Sequence, residues 1–517
     1  MVEDSRKWLR WLMIGAAASL VYHLVAVVFS AGFQNVDEHF QILEFLNFKL
    51  KHTSPTDLPI EYSRMIRPWL QPFLYWIPTK AMMAMGWKSP FVIAMADRLV
   101  SSVIGWISVV LLMFCVPIWI KDESWRKAAI VLLACSWYLP ALHARHSSEN
   151  LSGAVFAIAL CLYVLARARA PERYPSASFL LLIGVLFGLS FEFRYQLAIM
   201  IAGALSWMVF VDRLSVKSVG VALAGIALAV LFGTCLDRVG YGQWVFAPWS
   251  YLQFNLSGNT TLTGGASPWW DYFRRVWTES WPFLTFAYLA GTLVCFVRQP
   301  KHVITWSLLP FFLAHVLIGH KEMRFLFPMA PWTPVALVIA FAVPGHEVKL
   351  EVLWRSLIFR ASVYFLAAMN FVALLALSLT PPWIQVGFFN KVYDLYDAGN
   401  INTIYVLERS PYVKLGLPMH FYQPDRLRIR QMEDERQILT DVKKDSETRF
   451  WFARSRPDAS LADAQCDAVV TAIPPWVLSF VGRWINLSGD WTLFSCVISR
   501  DPVSARESIS EPNLHRH

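Results

Sequence analysis

Asp37 and Glu38 stand side by side, with His39 and Gln41 following, directly after a long uncharged apolar run. Such a pair commonly marks only the end of a helix. Its other reading is general-base chemistry. A carboxylate in a partly apolar cleft has a raised proton affinity and accepts a proton from a hydroxyl. A second candidate group is Glu61 with Arg64 and Arg67, where Glu61 and Arg64 also fit a plain surface pair on one helix. A third is the run Arg145-His146-Ser147-Ser148-Glu149-Asn150, part of which cap and turn chemistry explains. Glu192 and Arg194 form a fourth, charged residues between two apolar runs, where ionisable groups face a protein interior or a wet cavity.

The fifth group runs from Asp237 through Tyr241-Gly242-Gln243-Trp244 to Asn255, then Gly264-Gly265 and Pro268-Trp269-Trp270. Glycines beside aromatics suit a loop that approaches a ligand closely, or equally an interfacial belt. The sixth is His320-Lys321-Glu322-Met323-Arg324-Phe325. Its cations suit a lipid-linked phosphate, and anchoring of two helices at an interface explains them as well.

The elements that must position these groups are membrane helices. Of 517 residues 56% are hydrophobic and 16% charged, with mean hydropathy +0.42. Soluble chains are about one quarter charged. The 24 Trp, 36 Phe and 17 Tyr suit membrane interfaces and sugar faces. The net charge of +9 is not a nucleic-acid signal, because much of it lies in short connectors. Eleven segments lack Asp, Glu, Lys and Arg over a spanning or nearly spanning length. They are 11–36, 99–120, 128–144, 150–166, 174–191, 195–211, 218–236, 280–297, 303–319, 325–346 and 361–390. A crossing needs roughly 20 residues, so several are short. Residues 11–36 read as a retained first helix, not a cleaved leader.

Lys and Arg concentrate in alternate connectors, such as 121–127, 167–173 and 298–302. The positive-inside rule then puts the N-terminus in the cytoplasm. Both long loops, 37–98 and 237–279, fall on the far side, together with all six polar groups. Apolar stretches at 68–77 and 82–87 read as helices lying in the interface. Residues 1–390 are thus expected to form a membrane module. Residues 391–517 are expected to form a small far-side α/β domain, with strands around 405–407 and 468–470 and a disordered tail from about 504. Five of the seven cysteines lie in or beside apolar runs and read as buried small hydrophobes. Cys466 and Cys496 are the two with a possible disulfide.

In this order, the groups resemble the dolichyl-phosphate-mannose-dependent mannosyltransferases of the GPI-anchor and N-glycan pathways, within the GT-C superfamily. Asp37-Glu38-His39-Phe40-Gln41 resembles the family's acidic pair after the first span. Glu61 and Arg67 resemble its Trp-Glu…Arg-Ser segment, and His320-Lys321-Glu322-Met323-Arg324-Phe325 its His-Lys-Glu-x-Arg-Phe motif. Asp237 with Tyr241-Gly242, Trp244, Asn255 and Pro268-Trp269 is most similar to the enzymes adding the third mannose of the GPI core. Two departures stand out: Asn35-Val36 replaces a His-Pro before the acidic pair, and Pro68 follows Arg67 where Ser is usual.

The resemblance implies a polytopic GT-C fold and an inverting transfer of mannose from a polyprenyl phosphate to a mannosyl-glycolipid. An α-1,2 bond is expected, as in GPI-anchor synthesis in the endoplasmic reticulum. Inversion needs one general base: Asp37, with Glu38 as the alternative. His320, Lys321, Arg324 and Arg67 are assigned to the donor phosphate. His39, Gln41, Glu61, Arg194, Tyr241, Trp244, Asn255 and Trp269 are assigned to sugar or acceptor. No metal or other cofactor is required by this scheme, and the partners are membrane lipids, the lipid-linked donor and the glycolipid, with no nucleic acid. The alternatives are a bacterial transferase of another polyprenyl-phosphate sugar, acting at the cytoplasmic membrane, a lipid-linked glycan transporter, and a non-catalytic membrane subunit. Transporters hold their charges near the bilayer midplane, whereas here the charges sit at helix ends on one side.

Overall fold

The structure is a computed structural model. It describes residues 2–257, 267–342, 349–383, 385–407, 409–444, 448–455, 461, 464–471 and 491–498. Gly264 and Gly265 and the tail beyond 498 lie outside the described residues. The chain divides into two compact units. One comprises residues 1–50, 58–88 and 92–382; the other comprises 51–57, 89–91 and 383–517.

The first unit is helical. Among the described residues, five helices are long and apolar enough to cross a membrane: Trp8–Phe29, Pro90–Trp119, Ser148–Arg169, Val216–Tyr241 and Leu357–Leu379. A sixth crossing is available if the bent pair Pro282–Arg298 and Val303–Leu317, with 117° between its halves, counts as one span. Shorter apolar helices cover Ala177–Phe193, Tyr195–Phe210 and Met323–Ile339, and Glu123–Cys135 fills another expected segment. The chain is therefore a polytopic helical membrane protein. Every one of the eleven apolar segments contains a helix, although five meet the length and hydropathy of a full span alone. Apolar side chains such as Met13, Leu228, Phe232, Ile358 and Phe371 remain exposed on the outer faces of the long helices, as lipid-facing surfaces do. Leu112, Phe156, Leu160, Ile304 and Trp332 pack in the interior.

Two helices extend beyond their uncharged cores into the two long expected loops. The second run, 99–120, belongs to a helix beginning at Pro90 that carries Asp97 and Arg98 inside it. Arg98 is buried, and its Nε donates to the Val27 carbonyl at 3.0 Å. The helix containing 218–236 continues to Tyr241 through Asp237 and Arg238. A search for uncharged windows ends at such residues, whereas a bundle with polar partners buries them. The expected loops 37–98 and 237–279 are correspondingly shorter. The interfacial stretch becomes the helix Leu70–Ala84, with Trp76, Ile77 and Met85 exposed around it.

After the first helix, Asn35 caps a new turn by accepting the Asp37 N–H at 3.0 Å. That turn, Val36–Glu38, carries the two carboxylates. It runs on into a π-helical turn at His39–Leu43 and the helix Glu44–Lys49. π-Turns of this kind are frequent at functional sites because the extra residue redirects side chains.

The second unit holds a five-stranded mixed sheet in the order β4-β1-β5-β7-β6. The strands are β1 (Thr403–Val406), β4 (Arg428–Gln431), β5 (Arg449–Arg454), β6 (Ala464–Thr471) and β7 (Thr492–Ile498); β2 (Val413–Lys414) and β3 (Leu417–Pro418) make a separate ribbon. β1 runs parallel to β4 and β5, and β7 antiparallel to β5 and β6. The helix Glu435–Lys444 lays Ile438, Leu439 and Val442 on Phe450, Phe452 and Phe494. Cys466 and Cys496 stand opposite each other on β6 and β7 and are disulfide-bonded. The expected boundary at 390 falls inside the helix Val386–Asp397, which belongs to this unit.

Candidate active site

A cleft with about 510 Å³ of space, part of it open to solvent, lies in the first unit. Three carboxylate residues, Asp37, Glu38 and Glu149, and three arginines, Arg67, Arg194 and Arg324, line it. They come from five separate stretches of chain, and each is placed by local chemistry.

Arg324 Nη1 lies 2.6 Å from Asp37 Oδ2 and 3.7 Å from Glu149 Oε1. Its other face is held by Glu322, which accepts from Nε at 2.7 Å and Nη2 at 3.0 Å. Glu322 also accepts from His320 Nε2 at 3.0 Å and from Asn35 Nδ2 at 3.2 Å. The turn after Val303–Leu317 is thereby fastened to the turn that presents Asp37. Burial alone would raise the Glu322 carboxyl, but the Arg324 guanidinium and His320 hold it below the usual range.

Glu149 is in the first turn of Ser148–Arg169, a helix capped by Ser147. Ser147 and Ser148 donate to Glu149 Oε2 at 3.0 and 3.3 Å, and Arg194 Nη2 pairs with Oε1 at 3.1 Å. Gly153, one turn further on, permits this arrangement. A Cβ there would stand 2.6 Å from Pro328 Cα, so only glycine lets this helix meet the Met323–Trp332 segment closely enough for Glu149 to reach Arg324.

Arg67 is placed by its backbone. Tyr241 Oη donates to the Arg67 carbonyl at 2.6 Å and accepts its N–H at 3.2 Å. Two residues on, the Trp69 N–H donates to Asp237 Oδ1 at 2.9 Å. Trp69 packs flat against Gly240, where a Cβ would come within 2.2 Å of the indole. The guanidinium of Arg67 makes only long contacts, 3.9 Å to Asp37 Oδ2 and 3.9 Å to Glu61 Oε1. The buried Nε–H groups of Arg67 and Arg194 have no partner. Two unsatisfied guanidinium donors in one cleft suit an anionic or strongly accepting ligand.

The two adjacent carboxylates differ sharply. Both guanidinium contacts of Asp37 fall on Oδ2. Glu38 is buried, 6% exposed. Both of its oxygens are occupied by Arg145, Nε to Oε1 at 3.1 Å and Nη2 to Oε2 at 3.0 Å, and the Gln34 N–H adds a contact at 3.3 Å.

The other expected site residues divide into three groups. Gln41 lines the cleft and donates to Glu61 Oε1 at 2.8 Å. Tyr241 supports the Arg67 backbone from behind, as described. The remainder stand away from the cleft. His39 is fully buried, with Nε2 2.9 Å from Glu44 Oε1. Lys321 is 2% exposed and donates to the Ser267 carbonyl at 3.1 Å and to that of Ile318. Burial also holds the Lys321 ammonium below its usual range. His320 is spent on Glu322. Trp244 and Trp269 are 69% and 63% exposed, and Asn255 Nδ2 donates to the Tyr251 carbonyl at 2.8 Å. Within the motif, Arg324 therefore reaches the cleft, while Lys321 closes off carbonyls.

Several lining residues carry no role in the assignment made from the sequence, among them Gln71, Glu149, Gln196 and Tyr251. Glu149 belongs to the third polar run, in which cap and turn chemistry accounts for Ser147, Ser148 and Asn150 but not for the carboxylate. Gln196 and Tyr251 carry no signal in the sequence beyond lying near helix ends. Among the described residues, no three His, Cys, Asp or Glu side chains gather as a metal ion requires.

Residues 16–410 match the Alg9-like mannosyltransferase family. Mannosyltransferase APTG1 of Arabidopsis thaliana is 23% identical over 429 residues, covering 78% of this chain and 75% of that one. GPI alpha-1,2-mannosyltransferase 3 of Danio rerio is 23% identical over 285 residues, 54% of this chain, and the chain spans about half (51%) of its length. In fold, the chain is similar to the crystal structure of ArnT from Cupriavidus metallidurans bound to undecaprenyl phosphate, with a TM-score of 0.51, 9% identity, and 94% and 98% of the two chains covered. The family match takes in all six polar groups from Asp37 to Arg324, and this chain belongs to the Alg9-like mannosyltransferase family.

Proposed function

We propose that the protein transfers mannose, with inversion, from a polyprenyl (dolichyl) phosphate to a mannosyl-glycolipid, forming an α-1,2 bond as in GPI-anchor synthesis. The observation that carries this reading is the pairing in one cleft of a carboxylate, Asp37, with three guanidiniums, Arg67, Arg194 and Arg324. The names of relatives such as GPI alpha-1,2-mannosyltransferase 3 support the acceptor and linkage.

In this mechanism Asp37 takes the proton through Oδ1, the oxygen free of guanidinium contacts. The deprotonated acceptor oxygen attacks the anomeric carbon as the bond from that carbon to the phosphate oxygen breaks. The proton stays on Asp37, and the lipid phosphate leaves carrying the bonding pair. Arg67, Arg194 and Arg324 stabilise the charge that develops on it. They are already oriented by carboxylates, so little reorganisation is needed when phosphate arrives. Glu38 has no role as base, since Arg145 occupies both its oxygens. The soluble unit and the cleft are assigned to the extracytoplasmic side, with eleven crossings and the N-terminus in the cytoplasm. A disulfide between Cys466 and Cys496 supports an oxidising compartment for that unit.

The test is transfer by purified protein from dolichyl-phosphate-mannose to mannosyl-glycolipids, with linkage read by exomannosidase digestion and NMR. Formation of an α-1,2-mannoside is expected. Turnover with another polyprenyl-phosphate sugar alone would replace mannose as the donor sugar. Movement of a lipid-linked glycan across vesicles without any new glycosidic bond would overturn the transferase reading.

A further inference from the structure

Besides the arginines, the residues lining the cleft include acceptors without a hydrogen-bond partner. His146 and Gln71 both line it, 1% and 2% exposed. His146 Nε2 and Gln71 Oε1 are buried without a hydrogen-bond partner. Both side chains are fixed in orientation from behind. His146 is hydrogen-bonded to the Ala94 backbone, and since Nε2 is the unpaired nitrogen, Nδ1 makes that bond. A ring donating through Nδ1 carries its lone pair on Nε2. Burial and the nearby Arg98 charge keep the ring neutral, its proton affinity well below the usual range. Gln71 Nε2 donates to Tyr75 Oη at 2.9 Å; Tyr75 Oη bonds Ser101 Oγ; Ser101 Oγ donates to the Asp97 carbonyl at 3.4 Å. With Ser101 donating to a carbonyl, Tyr75 must donate to Ser101, and Gln71 must offer its N–H to Tyr75. That leaves Oε1 for the cleft.

Both relays end on carbonyls of residues 94 and 97, one turn apart on Pro90–Trp119. Tyr75 also stands edge-on to the His146 ring, with centroids 5.4 Å apart, which couples the two positions. The cleft lining thus holds unpartnered N–H donors, on Arg67 and Arg194, and unpartnered acceptors, on His146 and Gln71. A phosphodiester has no hydrogens to offer those acceptors at neutral pH, whereas a sugar has several.

We propose that His146 Nε2 and Gln71 Oε1 form a hydroxyl-reading wall, each accepting a hydrogen bond from a hydroxyl of the bound hexose. The proposal rests on the transferase reading for which sugar is present, and goes beyond it in naming the residues that recognise it. A site built to bond a hydroxyl discriminates strongly against an analogue that lacks it, because its buried partner is left unpaired.

The experiment uses the full chain and two readouts. The first is equilibrium binding of dolichyl-phosphate-mannose and of dolichyl phosphate, followed by tryptophan fluorescence. The second is kcat/KM with the mannose donor, with its monodeoxy analogues and with deoxy acceptors. The variants are His146→Phe, His146→Gln and Gln71→Leu, each checked for an unchanged thermal unfolding midpoint. His146→Phe is expected to lower kcat/KM by roughly 10- to 100-fold, the range for one lost buried hydrogen bond. It is also expected to abolish the penalty for one deoxy position, and His146→Gln to restore part of the loss.

If the wall reads the donor, the affinity that mannose adds to dolichyl phosphate disappears in His146→Phe. If it reads the acceptor, that increment survives and the acceptor KM rises instead. Full sensitivity to every deoxy position in both His146→Phe and Gln71→Leu, with binding unchanged, would overturn the proposal. Absence of mannose transfer by the wild type would count against the transferase reading alone. The binding arm then decides the wall by itself, and no sugar-dependent binding in the wild type would overturn it too. Should His146→Phe fail to fold, Gln71→Leu, on the helix Leu70–Ala84, tests the same wall.

Discussion

Arg324 Nη1 and Asp37 Oδ2 lie 2.6 Å apart, joining residues separated by 287 positions in the chain. The contact ties the base candidate to a phosphate-binding candidate before any substrate arrives. It also leaves Asp37 Oδ1 without a guanidinium neighbour. Removing the carboxylate charge should therefore affect chemistry more than folding. Asp37→Asn is expected to lower kcat by at least ~100-fold, as loss of a general base does, with a thermal midpoint close to wild type. An active Asp37→Asn protein would remove Asp37 as the base.

Glu38 should behave oppositely. Glu38→Gln leaves the buried Arg145 guanidinium without its counter-charge, a loss of about 3–5 kcal/mol for a broken buried pair. Expression and thermal midpoint are expected to fall first. The double variant Glu38→Gln/Arg145→Met should regain stability relative to the single one, measured by thermal unfolding in detergent.

The three cleft arginines are expected to be unequal to the motif lysine. Arg67→Met and Arg194→Met each remove a guanidinium with an open Nε–H, and the donor KM should rise by roughly ten-fold or more, as for a charge-assisted bond of about 1.5–3 kcal/mol. Lys321→Met removes bonds to two carbonyls outside the cleft. Its effect should appear in stability while the donor KM stays near wild type. A large donor KM effect from Lys321→Met with none from Arg67→Met would restore the lysine to the phosphate site.

Gly153→Leu should separate Glu149 from Arg324. A Cβ at that position already meets the Pro328 backbone, so the helix has to move outward, and overpacking costs about 1–3 kcal/mol. Activity is expected to fall more than Gly153→Ala reduces it, with the thermal midpoint tracking side-chain size.

Glu322 gives a pH dependence with a definite sign. Its folded carboxyl is held below its ordinary value of 4.5 by the Arg324 guanidinium and His320. The unfolded chain then binds a proton more readily than the folded one. The stabilisation is fully present above the unfolded value and is lost as pH falls through the folded value. The thermal midpoint should decline from pH 5 downwards, and Glu322→Gln should flatten part of that slope. Because Glu322 is partly solvated, the effect is a modest fraction of the whole acid transition.

Charge and hydropathy along the chain were enough for the class of protein and for the region of the site. Each of the eleven uncharged segments contains a helix, since runs of that composition bury their backbone polar groups only by hydrogen bonding internally. The same scan missed the helical turns carrying Asp97, Arg98 and Asp237, because it stops at charge, and a bundle supplies partners for charge. The acidic pair and the final motif were visible as residue types at helix ends. Their division of labour was not. Glu38 is neutralised by Arg145, Lys321 is turned onto carbonyls, and Arg324 alone of its motif lines the cleft. Those outcomes depend on the direction in which each turn presents its side chains and on close approaches at Gly153 and Gly240. Distances of that kind are set by packing between segments far apart in the chain, and local composition carries no record of them.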